Sequence, residues 1–562
     1  MLNAYNNVFV PFSSRAPAHT LRHRIQRQTP YFAKNRQMNN VKAYLAGGGL
    51  AGIATAFYLI KEGRLPGENI NVFEASDFAG GSLDAAYEPE KNCYFMRGFR
   101  MFEEKVYSAL FDMISSVPSL EDPAKTLMDE FVEFNQQVKT YSRARLLVNG
   151  QPVDARPFKM KFSDRIRLLR LLTLSENRIE NVKIEDYFSS AFFESNFWLQ
   201  FCTTFSFQPW HSLEELKRYI LRFIQDSPVL DTQSCVRNTK YNQYDSIVLP
   251  IKNWLTNQGV HFQKNSVVSD VKFSQTNEKM RIHEISVLSQ GVEKRIEIEK
   301  NGLVFLTLGS MTEQFSTGSM DKPPLQIPEP RGSSWELWKN ISTISPEFGQ
   351  YSVFNSDIDK TKWVSFTVTF SDPLFFQYIE KITRSKAGTE GPISIKDSNW
   401  LISFALPNQP HFINQPENLQ VIWGYGLYPD KVGNFVKKKM SECSGREILV
   451  ELLYHLKFEN ILDDILGSAI CIPCTLPYIT SQFMPRKSGD RPNVVPACSE
   501  NFAFIGQYCE IPEDIVFTLE YSVRSAQIAV FSLLNSKNKP TPIYPGWKSL
   551  RNLFNAVRTT FR

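Results

Sequence analysis

The stretch that most limits what this chain can fold into is Gly47-Gly48-Gly49-Leu50-Ala51-Gly52, which follows the short, mostly apolar run Lys42 to Ala46. After it, Ile53 to Lys61 has the apolar spacing of a helix, so the predicted order is strand, glycine turn, helix. Each glycine then has a task. Gly47 allows the tight turn, Gly49 lets backbone N–H groups approach a pyrophosphate, and Gly52 lets the helix pack closely on the strand. A second apolar strand, Ile70 to Phe73, ends at Glu74, at the spacing expected of the acid that binds a ribose hydroxyl. Gly80-Gly81-Ser82 adds a second small-residue patch, with Gly81 and Ser82 near the same ligand, and this favours FAD over NAD. No second copy of the fingerprint occurs downstream, as the common two-nucleotide architecture for NAD(P)H reduction would require.

With 562 residues, 42% of them hydrophobic and 13% aromatic, the chain can bury a large core in two to four domains. The net charge of +5 is small for this size, and basic residues interleave with aromatics only at the C-terminus, so no nucleic-acid partner is expected. Eight scattered cysteines without a preceding secretory signal point to a reducing compartment. The one C-x-x-C, Cys471-Ile472-Pro473-Cys474, lacks the second pair that a structural zinc would need, so buried thiols are expected and no metal. No apolar run reaches the roughly eighteen residues of a membrane span. Residues 1–40 carry Arg and Lys but no Asp or Glu, which fits a mitochondrial transit segment or a surface-clinging arm; both readings stay open.

The expected fold class is α/β, with a discontinuous Rossmann-like FAD-binding domain, a helical lid insert, a mixed α+β substrate domain and a C-terminal helical tail. The FAD-binding segments are 41–110, 226–312 and 476–535. They close through Leu303 to Gly309 and through Phe504-Ile505-Gly506, so Gly309 and Gly506 join the cofactor set. Segment 111–225 is the lid, helical from Ser163 to Phe223. There Ser212-Leu213-Glu214-Glu215 reads as a capping box, and Leu213, Leu216, Ile220 and Phe223 form a buried stripe with Tyr219 beside it. Alternating strands are expected between Ser266 and Gly309, and segment 313–475, with strands at Trp363 to Phe370 and Val421 to Tyr428, is the substrate domain. The turn Arg97-Gly98-Phe99-Arg100-Met101-Phe102-Glu103-Glu104 is expected beside the flavin. In the tail, 536–562, Trp547, Leu550, Phe554, Val557 and Phe561 recur at helical spacing among Lys548, Arg551, Arg558 and Arg562. Such a helix lies in an anionic membrane interface, or packs on the protein's own surface or a partner subunit.

Long stretches of the chain after about residue 40 resemble the oleate hydratase family, formerly called myosin-cross-reactive antigens: GGGLAGIATAFYLI at 47–60, FQPWHSLEELKRYILRF at 207–223, YNQYDSIVLP at 241–250, PCTLPYITSQFMPRKSGDRPNVVP at 473–496 and FAFIGQYCEIPEDIVFTLEYSVRSA at 502–526. The resemblance implies FAD-dependent addition of water to a double bond of a long unsaturated fatty acid, without net redox change. It implies Tyr219 as proton donor, aided by Arg100 or the flavin, and Asn242 beside the substrate. The family motif often reads RGGRE where this chain has Arg97-Gly98-Phe99-Arg100-Met101; the acid is missing at Met101, and Glu103 is the nearest substitute. Phe99 replaces a glycine there and restricts the backbone. In the family's T-x-N-x-x-x-H motif for the substrate carboxylate, this chain has Ala405, Pro407 and His411, so His411, with Gln409 beside it, is what remains for the head group. A flavin oxidoreductase acting on a lipid or amine, and a non-catalytic FAD- and lipid-binding protein, are the alternatives. A cytoplasmic enzyme peripheral to a membrane is expected, and a homodimer is left open.

Overall fold

The computed structural model describes residues 40–276, 278–327 and 332–561, so the basic N-terminal stretch lies outside the described residues. Five short parallel strands form one sheet in the order Phe502–Ile505, Leu303–Thr307, Ala43–Ala46, Ile70–Phe73, His261–Gln263. The central strand, Ala43–Ala46, is buried at all four residues, as a strand covered on both faces must be. The helix Leu50–Lys61 is buried from Leu50 through Leu59, because it lies between this sheet and the helix Leu519–Leu533. Its sequence, apolar all round, states that position. The chain therefore has the α/β class and the discontinuous Rossmann-type sheet that its sequence implies.

A second, eight-stranded sheet runs Ser316–Thr317, Ala469–Leu476, Trp363–Phe370, Gln420–Gly426, Ile402–Ala405, Ile393–Ile395, Leu146–Val148, Gln151–Val153. Its third strand, Trp363–Phe370, alternates two kinds of residue, and each kind has its own partner. Val364, Phe366, Val368 and Phe370 face a core with Phe375, Leu449 and Leu453. On the other face, the Thr367 and Thr369 hydroxyls accept the N–H groups of Met96 and Tyr94 at 3.1 and 2.9 Å, which fixes the strand Cys93–Met96 across the sheet. The two strands within 146–153 were not expected in a helical segment; they are short and lie at the sheet's edge, where periodicity is weakest. Cys471 and Cys474 sit three residues apart on Ala469–Leu476, so their side chains point to opposite faces, and burial pushes the Cys474 thiol up to about 12.

Ser266–Thr276, Lys279–Ser289 and Val292–Glu297 form an antiparallel sheet. The lid contributes helices Phe162–Thr173, Asn196–Phe205 and Leu213–Arg222. Ser212 caps the last of these by accepting the Glu215 N–H, but the Glu215 carboxylate does not close a capping box. It turns instead to Arg491 at 2.9 Å and Arg486 at 3.2 Å, since a fully buried arginine needs a charge partner more than a helix end needs a second acceptor. The tail forms a helix, Leu550–Thr560, whose small residues Ala556, Thr559 and Thr560 face inward. Among the described residues no helix is long and apolar enough to cross a membrane.

Candidate active site

The glycine turn closes as its residue types demand. The Gly47 N–H reaches the Phe73 carbonyl at 2.9 Å, and a Cβ on Gly47, whose φ is +104°, would meet the Thr307 hydroxyl at 2.8 Å. A Cβ on Gly52 would lie 2.0 Å from the Gly47 carbonyl oxygen, so the first helical turn sits directly on the loop. Gly49 differs. A Cβ there would meet only the Gly81 Cα, at 3.7 Å, and would otherwise project into a cavity lined by Gly81, Ser82, Thr307, Gly309 and Gly506. Two helix N-termini, at Leu50 and at Leu519, also border this cavity, and Thr518 caps the second. An open cradle bordered by small residues and two positive helix ends fits a dinucleotide such as FAD.

Glu74 braces the cradle: one of its oxygens accepts the Gly48 N–H at 2.8 Å and the other accepts the Ser76 N–H and hydroxyl. Arg97, buried against Asp84, donates to the carbonyls of Gly81 at 2.6 Å and Thr312 at 3.0 Å. That pair fixes the second glycine patch, and the charge signature of the arginine turn could have revealed it.

A larger, mostly apolar cavity adjoins the first. Its walls include Phe158, Phe197, Phe201, Phe205, Phe223, Leu168 and Leu172 from the lid region, Trp363 and Trp423 from the large sheet, and Ala556 and Thr560 from the C-terminal helix. Arg100, Phe517 and Thr518 line both cavities and mark their junction. The Arg100 guanidinium lies 5.0 Å from the Phe517 ring centre, and its Nη2 has no hydrogen-bond partner. Burial pulls its pKa down, while nearby Tyr107 and Tyr219 oppose this.

Of the expected catalytic residues, Tyr219, Arg100, Met101 and Glu103 line this cavity. The Tyr219 hydroxyl donates to the Val516 carbonyl at 2.5 Å, and burial raises its pKa well above the ordinary value. Glu103 accepts the N–H groups of Lys105 and Val106 through one oxygen, at 2.9 and 2.7 Å.

The expected head-group residues are placed elsewhere. Asn242 donates to Asp245 at 2.7 Å and to the His411 carbonyl at 3.1 Å. Gln409 is bonded to the Pro407 and Val421 carbonyls and to Gln415. His411 is buried with both ring nitrogens unpartnered, and burial lowers its pKa to about 3. The ring of Phe99, 6.1 Å from the imidazole, lines the cavity where His411 does not. Tyr107, Asp226 and Cys235 also line the cavity and were not anticipated; Asp226 follows Tyr219 and Phe223 at helical spacing, which was the available signal.

Fold and cavities together define an α/β protein with a Rossmann-type sheet, a glycine-lined cradle and an adjoining apolar chamber. The MCRA family model matches residues 40–531, and the chain belongs to that family. It is 40% identical to an oleate hydratase of Streptococcus pyogenes serotype M49 (strain NZ131), over 90% of this chain and 88% of that protein. It is 31% identical to a linoleate hydratase of Lactiplantibacillus plantarum, over 87% of this chain and 93% of that protein. Among solved structures, a wild-type putrescine oxidase bound to putrescine superposes with a TM-score of 0.50 at 14% identity, covering 88% of this chain and 99% of that one, a likeness of fold alone.

Proposed function

We propose that this chain adds water to a cis double bond of a long-chain, oleate-like unsaturated free fatty acid, giving a hydroxy acid with no net redox change. The observation that carries this reading is the apolar cavity that ends, at Arg100, against the nucleotide cradle. Phenylalanines and leucines along the walls hold an acyl chain and exclude bulk water, so an alkene meets only the few polar groups at one end. FAD is the proposed cofactor, held by Gly47, Gly49, Gly52, Glu74, Gly81, Ser82, Gly309 and Gly506. When bound, it supplies polar and electrostatic chemistry beside the junction without net electron transfer.

Tyr219 is the proposed proton donor. To donate, its hydroxyl must leave the Val516 carbonyl, and the adjacent Arg100 charge favours the phenolate that results. His411 is the proposed head-group ligand once Phe99 moves aside. A membrane surface is the proposed partner, because the C-terminal helix turns its apolar side outward: Leu550 is 83% and Phe554 67% exposed. Phe162, on the neighbouring lid helix, extends this patch beside Phe561. Incubating the FAD-loaded protein with oleate and with linoleate tests the reading: a product heavier by one water supports it. Flavin reduction by the lipid without oxygen would instead make the chain an oxidoreductase, and unchanged lipid a binding protein.

A further inference from the structure

Two carboxyl groups and a thiol interrupt the apolar wall of the substrate cavity. Glu103 comes from the short strand Phe102–Glu103, which pairs with Val236–Arg237, so Cys235 lies at the adjoining strand end. Asp226 reaches the same wall from the 3-10 turn that continues the Tyr219 helix. Each carboxylate is held from behind. Glu103 takes two backbone N–H groups on one oxygen, and Asp226 takes the Gln225 amide at 3.1 Å and the Cys235 thiol. Burial, then the Glu103 charge, pushes the Asp226 carboxyl up to about 7; Lys105 and Cys235 pull against this, and Glu104 adds a further charge beside Glu103. Arg100, 91% buried with a free Nη2, lines the same cavity and supplies the cation that an anionic reacting centre needs. Tyr107 lies within electrostatic range of both Arg100 and Glu103.

We infer that Glu103 and Asp226 act together as the base that activates water in this chain, the position held by Met101 having no proton to exchange; this rests on the hydratase reading above. The two carboxylates line one cavity wall and each feels the other's charge, so they take up and release protons as a unit. Once deprotonated, the pair is a base whose conjugate acid lies near neutrality, the strength best suited to work at neutral pH. One O–H bond of the water breaks, its proton goes to the pair, and its oxygen bonds to one alkene carbon while the other alkene carbon takes the Tyr219 proton. The pair then returns a proton to the Tyr219 phenolate. One water has been added and no electrons have moved.

The test uses the FAD-loaded full-length protein with oleate, following kcat, KM and flavin content against pH. The parent kcat is expected to rise with pH through about 7. Asp226→Asn and Glu103→Gln are each expected to lower kcat by about 10²- to 10³-fold at similar KM and flavin content. In Asp226→Asn the limb near pH 7 disappears, and Asp226→Glu restores part of the rate. Cys235→Ala, which removes a bond to the ionised form, moves the midpoint upward at little cost in rate. Glu104→Gln, an exposed neighbour paired with Arg237, removes one charge beside Glu103 and moves the midpoint slightly downward at little cost in rate. An active parent whose Asp226→Asn variant keeps its rate within threefold, with the same pH limb, overturns the inference and leaves the hydratase reading standing. A parent that hydrates neither oleate nor linoleate overturns both.

Discussion

Tyr219, on the wall of the apolar cavity, donates its hydroxyl proton to the main-chain carbonyl of the buried Val516 at 2.5 Å. The same hydroxyl is thus a strut and the proposed acid. Tyr219→Phe removes one oxygen and little volume. It is expected to cost about 1 kcal/mol of stability through the orphaned Val516 carbonyl, and about 10²- to 10⁴-fold in kcat if the phenol donates. Urea unfolding and steady-state rates separate the two; lost stability with an unchanged rate would leave Tyr219 only the strut.

Gly49 faces open cradle, whereas Gly52 faces the Gly47 carbonyl. Gly49→Val is expected to fold with a near-parental melting temperature and to purify at least tenfold poorer in flavin, because its side chain takes space the pyrophosphate would use. Gly52→Ala is expected to fail differently, with a lowered melting temperature. Absorbance spectra and thermal melts of the two variants check this contrast.

Beneath the Tyr219 helix, Glu215 and Glu510 are packed among Arg218, Arg486 and Arg491. Burial alone would raise Glu510, but the three arginines outweigh it and hold the carboxyl at about 2. Its stabilisation is therefore present above its ordinary value of 4.5 and lost as pH falls towards 2. Glu215→Gln leaves the fully buried Arg491 short of a partner and is expected to cost about 3–5 kcal/mol. Denaturant midpoints at pH 7 measure that loss.

Asp226 has the opposite sign. Its raised carboxyl favours the fold below its ordinary range, and that contribution is lost as pH rises through about 7. Asp226→Asn is expected to exceed the parent's melting temperature by more at pH 8 than at pH 5. An equal difference at both values would remove the buried charge from the account.

The C-terminal helix is wall on one side and apolar surface on the other, so deleting it would also open the cavity at Ala556 and Thr560. The cleaner probe is Leu550→Ser with Phe554→Ser. The double variant is expected to sediment less with anionic liposomes than the parent while keeping its flavin. Binding equal to the parent's, or indifferent to lipid charge, would assign the patch to another surface.

The Rossmann-type sheet was legible because its glycines and strands report local geometry: Gly47 marks a tight turn, Gly52 a close approach of helix to loop and Gly49 an open cradle between them. Tyr219, Arg100 and Glu103 were legible through resemblance and position. The pairing of Asp226 with Glu103 was not, since it depends on a strand from one segment meeting a turn from another, and neither residue's neighbours in sequence announce that. His411 shows the converse. Its motif implies a place with the substrate, while the cavity lining includes Phe99, whose ring lies 6.1 Å from the imidazole, and not His411 itself. The Glu215 carboxylate likewise followed its tertiary partners rather than the helix-start pattern its sequence spells.

The order of strands in the nucleotide sheet has a consequence for how the protein is made. Ala43–Ala46 and Ile70–Phe73 leave the ribosome long before Leu303–Thr307, and Phe502–Ile505 comes later still. Until then the open edge of Ala43–Ala46 can pair with any other strand, which is a hazard for aggregation. A ligand that needs Gly49 and Gly506 together can stabilise only chains that have already passed that stage. Cofactor supply should therefore raise the yield of finished protein without rescuing chains stalled halfway.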